Sequence, residues 1–462
     1  MSKNIAIIGS GFLGLTLALR LAESGTKVTV YESAPELGGL ASAWQIGDVV
    51  WDKHYHVTLL SDSFTRKIVE KIGLADEFEW VETKTGFYTD GKLVSMSNTL
   101  EFLRFPPLDL IGKFRLGATI FYASRVKDWK ELEKISVEDW LTKLSGKKTF
   151  EKMWKPLLKA KLGEAYRETS AAFIWATIQR MYAARNSGLK REMFGYVRGG
   201  YAKILEKFGA HLRANGVEIR LNSRVGKIEK IDGKVKVSTA ENAEKYRAEV
   251  QLNAGQNYSG VSVRSVYAAE NSARFDSVIL TCPSNVAAKI TPQLTENEKA
   301  KLENIKYQGI VCTSVLMKKS LSNFYVTNIT DETPFTGIIE MSALVDKREF
   351  GGNALVYLPK YVAPDDELFD KTDEEIEETF LSALEKMYPH FSRADVEVFK
   401  ISRIRQVFPF PTLNYSENVP SVKTSLENVF VVNSAQITNG TLNVNETVRL
   451  AEKFFEKNFA RS

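Results

Sequence analysis

The 462-residue chain has few of the residues that build disulfide frameworks and metal clusters: two cysteines and four histidines. Two thiols in so long a chain exclude a disulfide-stapled fold and fit a reducing compartment. No apolar run has the length of a membrane span, because Lys113, Arg115 and Arg125 interrupt the longest candidate, LDLIGKFRLGATIFYASRV. The start, MSKNIAIIGSG, favours a buried strand over a signal peptide. We therefore expect a cytoplasmic protein, attached at most to the inner face of a membrane.

The net charge of +5 is unevenly distributed along the chain. Residues 101–200 hold 20 Lys and Arg against 11 Asp and Glu, a balance of +9, so the remaining residues total −4 (5 − 9). Four of the seven tryptophans lie in the same segment. Two interpretations stay open: a surface that faces an anionic substrate or anionic lipid, or a solvated helical face over an aromatic core. No compact basic run or known motif supports nucleic-acid binding.

The order of predicted elements indicates two interleaved domains. A strand, a helix and a second strand over residues 4–31 form a βαβ opening. Asp-Gly pairs predict hairpin turns at 90–91 and 232–233, and a Ser-x-x-Asp start predicts a helix from Ser136. Residues 273–283, ARFDSVILTCP, are predicted as one buried strand, and 443–457 as a final helix.

We predict an α/β fold in which a Rossmann-like dinucleotide-binding domain is interleaved with a mixed helical and β-sheet substrate domain. The predicted limits are 1–85, 197–290 and 425–462 for the first domain, and 86–196 and 291–424 for the second, whose helical part covers 100–191.

A glycine-rich turn, Gly9-Ser10-Gly11-Phe12-Leu13-Gly14, follows the first strand and opens the first helix. Gly9 permits the tight turn, Gly11 lets the backbone approach a pyrophosphate, and Gly14 lets the helix pack closely on the strand. Glu32 ends the second strand, where a carboxylate binds ribose hydroxyls and would repel a 2′-phosphate. NAD and FAD both remain compatible with this motif.

The stretch that follows, ESAPELGGLAS, brings a second glycine pair, Gly38-Gly39, just beyond the acid. This arrangement resembles the superfamily of FAD-containing amine oxidases, protoporphyrinogen oxidases and carotenoid desaturases, and the resemblance implies that the cofactor is FAD. Many members carry an arginine after the glycine pair, where this chain has Leu40. One charged phosphate contact is therefore missing.

Three further stretches extend the resemblance over nearly the whole chain. They are GGY at 199–201 with the following RLNSRVGKIE, then FDSVILTCP, then NVFVVNSAQITNGTLNVNETVRLAEKFF. In the last of these, Asn433-Ser434-Ala435-Gln436 replaces the usual Ala-Gly-Asp. Asn443 and Glu446 are expected to cap a helix that points at the flavin. The resemblance implies cofactor contacts from Gly9, Gly11, Phe12, Leu13, Gly14, Glu32, Ser33, Gly38, Gly39, Leu40, Ala41, Val225, Ala435, Gln436, Asn443 and Val444.

The stretch DKHYHV holds two of the four histidines. In the superfamily this segment crosses beside the flavin, and a second likeness, to UDP-galactopyranose mutases, places a histidine there. His54, Tyr55 and His56 are therefore flavin-adjacent candidates; the alternative is that each histidine is structural. A pair at i and i+2 has ligand-like spacing on a strand, but no carboxylate or cysteine cluster accompanies it, so we expect no metal site.

The substrate pocket is expected on the helical segment. Arg180, Arg185 and Arg198 are candidates to clamp an anionic substrate, although surface ion pairs are the alternative. The far wall is assigned to residues of RQVFPFPTLNY: Arg405, Phe408, Phe410 and Tyr415. No lysine can be matched to the one beside the flavin in amine oxidases.

Three functions are consistent with these residues. The leading one is an FAD-dependent oxidoreductase that takes a hydride from a largely apolar or amphipathic small molecule onto flavin N5 and passes electrons to oxygen or a quinone. The second is a redox-neutral nucleotide-sugar mutase of the UDP-galactopyranose mutase type. The third is a flavin-binding partner without turnover. The basic helical segment adds the expectation of a peripheral membrane contact.

Overall fold

The structure, a computed structural model, describes residues 3–185, 193–239 and 271–460, without the side chains of residues 184, 185 and 271. The helices are α1 Phe12–Glu23, α2 Ser63–Lys71, α3 Thr99–Arg104, α4 Leu110–Arg125, α5 Trp129–Glu133, α6 Val137–Ser145, α7 Lys147–Thr149, α8 Lys155–Leu162, α9 Ala171–Arg185, α10 Gly200–Ala214, α11 Ser284–Ile290, α12 Glu296–Glu303, α13 Asp373–Met387, α14 Tyr415–Asn418 and α15 Val444–Asn458. A π-helical turn, Phe150–Trp154, joins α7 to α8.

The strands are β1 Asn4–Ile8, β2 Lys27–Tyr31, β3 Ala43–Ile46, β4 Val49–Asp52, β5 Thr58–Leu59, β6 Phe78–Glu82, β7 Thr85–Thr89, β8 Lys92–Ser95, β9 Met193–Val197, β10 Glu218–Arg220, β11 Val225–Ile231, β12 Lys234–Thr239, β13 Asn271–Phe275, β14 Ser277–Leu280, β15 Tyr307–Met317, β16 Val326–Ile329, β17 Gly337–Glu340, β18 Ala354–Val362, β19 Val396–Pro409 and β20 Val429–Val431.

A five-stranded parallel sheet, ordered β10-β2-β1-β14-β20, brings three distant parts of the chain together. Its central strand β1 is an uninterrupted apolar run because both faces are covered. Helices α1, α10 and α15 share one core with this sheet. The antiparallel sheet β11-β12-β13 and helix α11 share a core on the other face. The sheet thus combines segments from the beginning, middle and end of the chain, while the exact domain limits stay a prediction.

The second large sheet is mixed and has seven strands in the order β19-β15-β18-β17-β16-β7-β8. One face shares a core with the helical segment from α4 to α9. The opposite face is covered by the acidic helix α13, which begins at a capping box formed by Thr372 and Glu375. The helical segment therefore packs on one face of the mixed sheet and the acidic helix on the other.

Local sequence accounts for several element ends. Asp90 and Gly91 both have positive φ (50° and 70°), as the tight turn between β7 and β8 requires. Ser136 caps α6 by accepting a hydrogen bond of 3.0 Å from the N–H of Asp139. The single strand predicted over 273–283 is wrong: β13 and β14 belong to different sheets, and Asp276 between them accepts a hydrogen bond from the N–H of Asn4.

The aromatic residues of the basic segment are mostly core. Trp140, Trp154 and Trp175 are buried in the cluster under the helices. The helices that the structure describes include none that is both long enough and apolar enough to cross a bilayer.

Candidate functional site

One large cavity, about 1770 Å³, runs from the glycine turn before α1 to the helical segment. Its wall is contributed by the parallel sheet's carboxyl edge, by the loop between β4 and β5, by α8 and α9, and by β15, β18 and β19. Ligands of doubly wound sheets bind at this edge of the sheet. The cavity is therefore the candidate site for both cofactor and substrate.

The glycines of the first turn have different roles: Gly14 is needed for packing, whereas Gly11 faces the cavity. A Cβ on Gly14 would lie 2.1 Å from the Gly9 carbonyl oxygen, so Gly14 is required for helix packing. A Cβ on Gly11 would meet no protein atom within 4 Å, and Gly11 has an ordinary φ of −64°. Since neither backbone nor packing demands glycine there, the space beside Gly11 fits a bound group. The N-terminus of α1, which carries no side-chain cap, offers its N–H groups to the same space.

The second glycine pair is joined directly to the first turn. Gly38 donates its N–H to the Ser10 carbonyl over 3.0 Å, and Gly11 and Gly38 form a parallel β-bridge. Gly38 and Gly39 both have positive φ, 113° and 57°. The two motifs, 27 residues apart in sequence, thus form one continuous backbone cradle, which fits an extended dinucleotide and its pyrophosphate.

Glu32 directly follows β2 and lies on the cavity wall beside this cradle. One carboxylate oxygen accepts hydrogen bonds from the N–H and hydroxyl of Ser10, at 2.9 and 2.7 Å. The other accepts from the Ala34 N–H at 2.9 Å. The carboxylate is thus fixed in place on the cavity wall, where ribose hydroxyls would find an acceptor.

Most of the residues named as cofactor contacts line the cavity. Those on its wall are Gly9, Gly11, Phe12, Leu13, Glu32, Ser33, Gly38, Gly39, Leu40, Ala41, Val225, Asn443 and Val444. Gly14, Ala435 and Gln436 do not line it. That these cavity-lining residues contact FAD remains a prediction. The glycine cradle has the backbone gaps that FAD needs.

The expectation for Gln436 is corrected by its hydrogen bonds. Its side chain accepts from the Asn433 N–H at 2.8 Å and donates to the Pro420 carbonyl at 3.2 Å, so it stabilises the local turn. Asn433 and Ser434 lie on the cavity wall instead. Asn433 is itself held by donating to the Cys282 carbonyl at 2.9 Å. The substituted motif therefore presents residues 433 and 434 to the cavity.

The final helix begins as predicted. Asn443 caps α15 by accepting a hydrogen bond of 3.0 Å from the Glu446 N–H. Asn443, Val444 and Thr447 of its first turn line the cavity. The positive end of the helix dipole therefore faces the cavity, where it favours negative charge by about 0.3–1 kcal/mol.

His54 lies in a loop between β4 and β5, not on a strand, and both of its ring nitrogens have partners. Nδ1 lies 3.2 Å from the Leu40 carbonyl oxygen and Nε2 lies 3.1 Å from the Ser402 hydroxyl. Burial lowers the pKa of His54 to about 4. His54 is therefore a neutral residue on the cavity wall that links the second glycine turn to β19.

His56 faces a different group of residues. Its ring packs against Tyr201, with centroids 4.8 Å apart, and Nδ1 lies 3.8 Å from Asp52 Oδ2. Burial lowers the pKa of His56 to about 4 and raises the pKa of Asp52 to about 8. Both groups are therefore neutral near neutral pH, and the contact is not an ion pair. The two histidines, though two residues apart, serve separate contacts.

Tyr55 belongs to a polar chain that sequence reasoning missed. Its hydroxyl lies 2.9 Å from the hydroxyl of Tyr361 on β18, which in turn accepts a hydrogen bond of 2.5 Å from Lys161 Nζ. All three residues line the cavity. The available signal was periodicity: Lys161 shares the apolar face of α8 with Leu158 and Leu162, both buried.

Of the predicted arginine clamp, the structure describes the side chains of Arg180 and Arg198. Arg180 lines the cavity, but its guanidinium donates to both carboxylate oxygens of Asp62, at 3.2 and 2.8 Å. Arg198 is half exposed and pairs with Glu77 at 3.1 Å, away from the cavity wall. The side chain of Arg185 lies outside the described residues. The ion-pair interpretation therefore holds for Arg180 and Arg198.

The predicted far wall is partly wrong. Phe408 lines the cavity, whereas Arg405, Phe410 and Tyr415 do not. Arg405 pairs with Asp370 at 2.8 Å. Tyr415 is buried and donates its hydroxyl to the Ala435 carbonyl at 3.0 Å. From this stretch, Gln406, Val407 and Phe408 line the cavity.

The part of the cavity beyond the glycine cradle is dominated by apolar side chains. They come from helices α4, α8 and α9 and from the mixed sheet, and include Ile120, Trp154, Leu157, Leu158, Phe173, Ile174, Ile178, Met181, Ile310, Ile339, Val407 and Phe408. This region can hold a ligand with a large apolar surface.

Comparison with protein families gives a match over residues 14–445 to the family described as "Flavin containing amine oxidoreductase". Among curated proteins, the chain is 24% identical to a probable zeta-carotene desaturase of Synechococcus elongatus over 49% of this chain and 51% of that protein. It is 21% identical to a 15-cis-phytoene desaturase of Glycine max over 87% of this chain and 69% of that protein. The chain thus spans about half of the first relative and about two thirds of the second.

Among solved structures, the chain is similar to a putative protoporphyrinogen oxidase from Exiguobacterium sp. 255-15. The TM-score is 0.73 at 17% identity, and the alignment covers 99% of this chain and 98% of the other. At this identity the likeness establishes the fold, and that fold is the one that the glycine turns and the interleaved sheet predict.

Proposed function

Since the chain belongs to the family of flavin-containing amine oxidoreductases, we propose that it oxidises a largely apolar or amphipathic small molecule. It is an FAD-dependent oxidoreductase, and the family match confirms the cofactor expected from the sequence. FAD, when bound, supplies the acceptor for the hydride that the substrate gives up. The protein's own residues hold the cofactor, orient the substrate and exclude water.

The apolar wall of the cavity carries the proposal about substrate class. Side chains such as Phe173, Ile178 and Ile339 face the space beyond the glycine cradle. A small polyamine would leave this surface without contacts, whereas a long apolar or amphipathic molecule would bury it, at roughly 25 cal/mol per Å². The desaturase relatives act on molecules named as carotene and phytoene; this chain's substrate is proposed as a class only.

The mutase alternative depends on cations free to hold a nucleotide-sugar diphosphate. Arg180 is committed to Asp62 and Arg198 to Glu77. These two arginines of the predicted clamp therefore do not support this alternative. We retain oxygen or a quinone as the proposed electron acceptor.

Peripheral membrane contact is the second part of the proposal. Of the eleven large hydrophobic residues that are exposed in the described part of the chain, seven lie on α3 and α4. These seven, the α3–α4 face, are Leu100, Leu103, Leu110, Ile111, Phe114, Phe121 and Tyr122. Ile111 and Phe114 are 72% and 77% exposed. Single exposed hydrophobics need no explanation, but a contiguous set does.

We propose that the α3–α4 face binds an anionic bilayer surface, because the surrounding segment is positively charged. The segment around it carries the excess of Lys and Arg, including Arg104, Arg115 and Lys148. A helix with an apolar face and basic flanks lies at the interface of anionic lipids. Ile120, on the opposite side of α4, lines the cavity, so the same helix would connect the bilayer surface to the substrate site.

The proposed oxidation is tested by the flavin spectrum. The purified protein should carry an FAD absorbance band, and anaerobic addition of a substrate should bleach it. We expect bleaching by a long-chain apolar or amphipathic compound and not by putrescine at equal concentration. Readmitted oxygen or an added quinone should restore the band, which identifies the acceptor. Bleaching by putrescine alone would overturn the substrate class.

A further inference from the structure

Lys161 places an amino group inside the apolar half of the cavity. It lies on α8 between Leu158 and Leu162, and its side chain is half-buried on the cavity wall. Nζ lies 3.8 Å from the ring centroid of Tyr361 and 5.1 Å from that of Phe408. It also donates to the Tyr361 hydroxyl. The amino group is therefore held by aromatic rings and one hydroxyl in otherwise apolar surroundings.

No carboxylate of the described residues balances this amino group. In the described ranges Lys161 makes no ion pair, although Lys155 and Lys159 on the same helix pair with Glu151 and Glu164. Lys53, another lysine of the cavity wall, is paired with Glu36 at 2.6 Å. An ammonium in largely apolar surroundings without a counter-charge is costly. Its position is explained if a ligand supplies the negative charge.

We propose that Lys161, together with the Tyr361 hydroxyl, binds the carboxylate of an amphipathic substrate whose hydrocarbon chain lies along the apolar wall. This inference rests on the proposed function and narrows its substrate class. One ammonium beside neutral hydroxyls matches a single negative charge, whereas a phosphate dianion would need further cations. Cation–π contacts with Tyr361 and Phe408 hold the ammonium in place.

We also expect the protein to take up a proton when a carboxylate binds to this site above neutral pH. The titratable groups that face Lys161 are Tyr361 on β18, Tyr55 in the β4–β5 loop and Cys312 on β15. Burial raises the pKa of all three, that of Tyr55 to about 12, so they stay neutral. Burial lowers the pKa of Lys161 to about 7. An amine is charged below its pKa, so above about pH 7 carboxylate affinity should fall about tenfold per pH unit.

The test is a titration of the FAD-loaded protein with decanoate and with 1-decanol, followed by calorimetry and by the flavin spectrum. At about pH 6.5 we expect the wild-type protein to bind decanoate at least about tenfold more tightly than the alcohol. At about pH 8.5 this preference should shrink, and calorimetry in buffers of different ionisation enthalpy should show proton uptake. Equal binding of the two probes at the lower pH would overturn the proposal without any variant.

Variants separate the charge of Lys161 from its shape. Lys161→Met should lose the preference for decanoate while still binding 1-decanol, and Lys161→Arg should keep the preference and lose its pH dependence, because arginine stays protonated. Lys159→Met, on the exposed side of the same helix, is the matched control and should behave as wild type. Decanoate binding by Lys161→Met at wild-type affinity would contradict the assignment.

The proposed oxidation and the proposed carboxylate site can each fail without the other. If decanoate binds as expected but no apolar or amphipathic compound bleaches the flavin, the oxidation fails and the carboxylate site stands. If such compounds bleach the flavin but decanoate has no preference over the alcohol, the carboxylate site fails and the oxidation stands.

Discussion

The side chain of Asp52 accepts a hydrogen bond of 2.8 Å from the backbone N–H of Tyr201, 149 residues away. This bond ties the end of β4 to the first turn of α10. The contact is close: a Cβ on Gly200, whose φ is +63°, would lie 2.9 Å from Asp52 Oδ1. A buried carboxyl therefore joins the β3–β4 hairpin to α10.

Two substitutions of Asp52 should differ in their effect on stability. Asp52→Asn keeps an oxygen acceptor for the Tyr201 N–H and should fold normally. Asp52→Ala leaves that buried N–H unpaired and should lower the free energy of unfolding by about 1–3 kcal/mol. Urea denaturation followed by circular dichroism measures both. Equal loss in the two variants would mean that the hydrogen bond is not what matters.

The same residue predicts a pH dependence. Burial raises the pKa of Asp52 from 3.8 to about 8, so the folded protein binds more protons than the unfolded chain between these two values. The contribution of Asp52 to stability is therefore full below about pH 4 and is lost as the pH rises through about 8. Asp52→Asn should flatten the fall in stability between pH 5 and pH 8. An unchanged slope in that variant would assign the effect to other groups.

Gly11 should matter for the cofactor and not for folding. A Cβ at position 11 meets no protein atom within 4 Å and the φ there is allowed, so we expect Gly11→Val to fold but to be colourless, because the side chain fills the pyrophosphate space. Gly117→Val, at a glycine with equal free space and outside the cavity, is the matched control and should retain FAD. Gly14→Ala should instead lower stability, since its Cβ would overlap the Gly9 carbonyl. Tight FAD binding by Gly11→Val would contradict the cradle.

His54 should act by position and not by titration. Because its pKa is lowered to about 4, the rate of flavin reduction should show no inflection from this residue between about pH 5 and pH 8. His54→Ala removes the link between Leu40 and Ser402 and should weaken FAD retention about tenfold, at every pH alike. A stopped-flow pH profile of wild type and variant tests this. A midpoint near pH 6 that disappears in the variant would show that His54 titrates in the reaction.

The α3–α4 face should bind vesicles. The doubly substituted protein Ile111→Ser, Phe114→Ser should sediment at least about tenfold less with vesicles of phosphatidylcholine and phosphatidylglycerol than the wild type, because apolar area is lost from the contact. Raised salt should also weaken wild-type binding. Leu413→Ser, at an exposed leucine outside this face, is the control. Unchanged sedimentation of the double variant would place the membrane contact elsewhere or exclude it.

Local chemistry was readable from the sequence. The glycine turns, the Asp90-Gly91 hairpin and the caps at Ser136 and Asn443 each depend on a few neighbouring residues and their allowed φ angles. The βαβ opening and the acid that follows β2 predicted a dinucleotide, and the family resemblance identified it as FAD.

Tertiary structure decided which side chains face the cavity and which partners they take. The Tyr55 and Tyr361 hydroxyls meet across 306 residues, and Arg180 is committed to Asp62 across 118. Sequence spacing gives the face of a helix or strand, but not the group that packs against it. Periodicity places Lys161 on the apolar face of α8, but it does not tell which group its amino nitrogen meets. The packing of α8 against β18 brings that nitrogen to the Tyr361 hydroxyl, and in the described ranges it makes no ion pair.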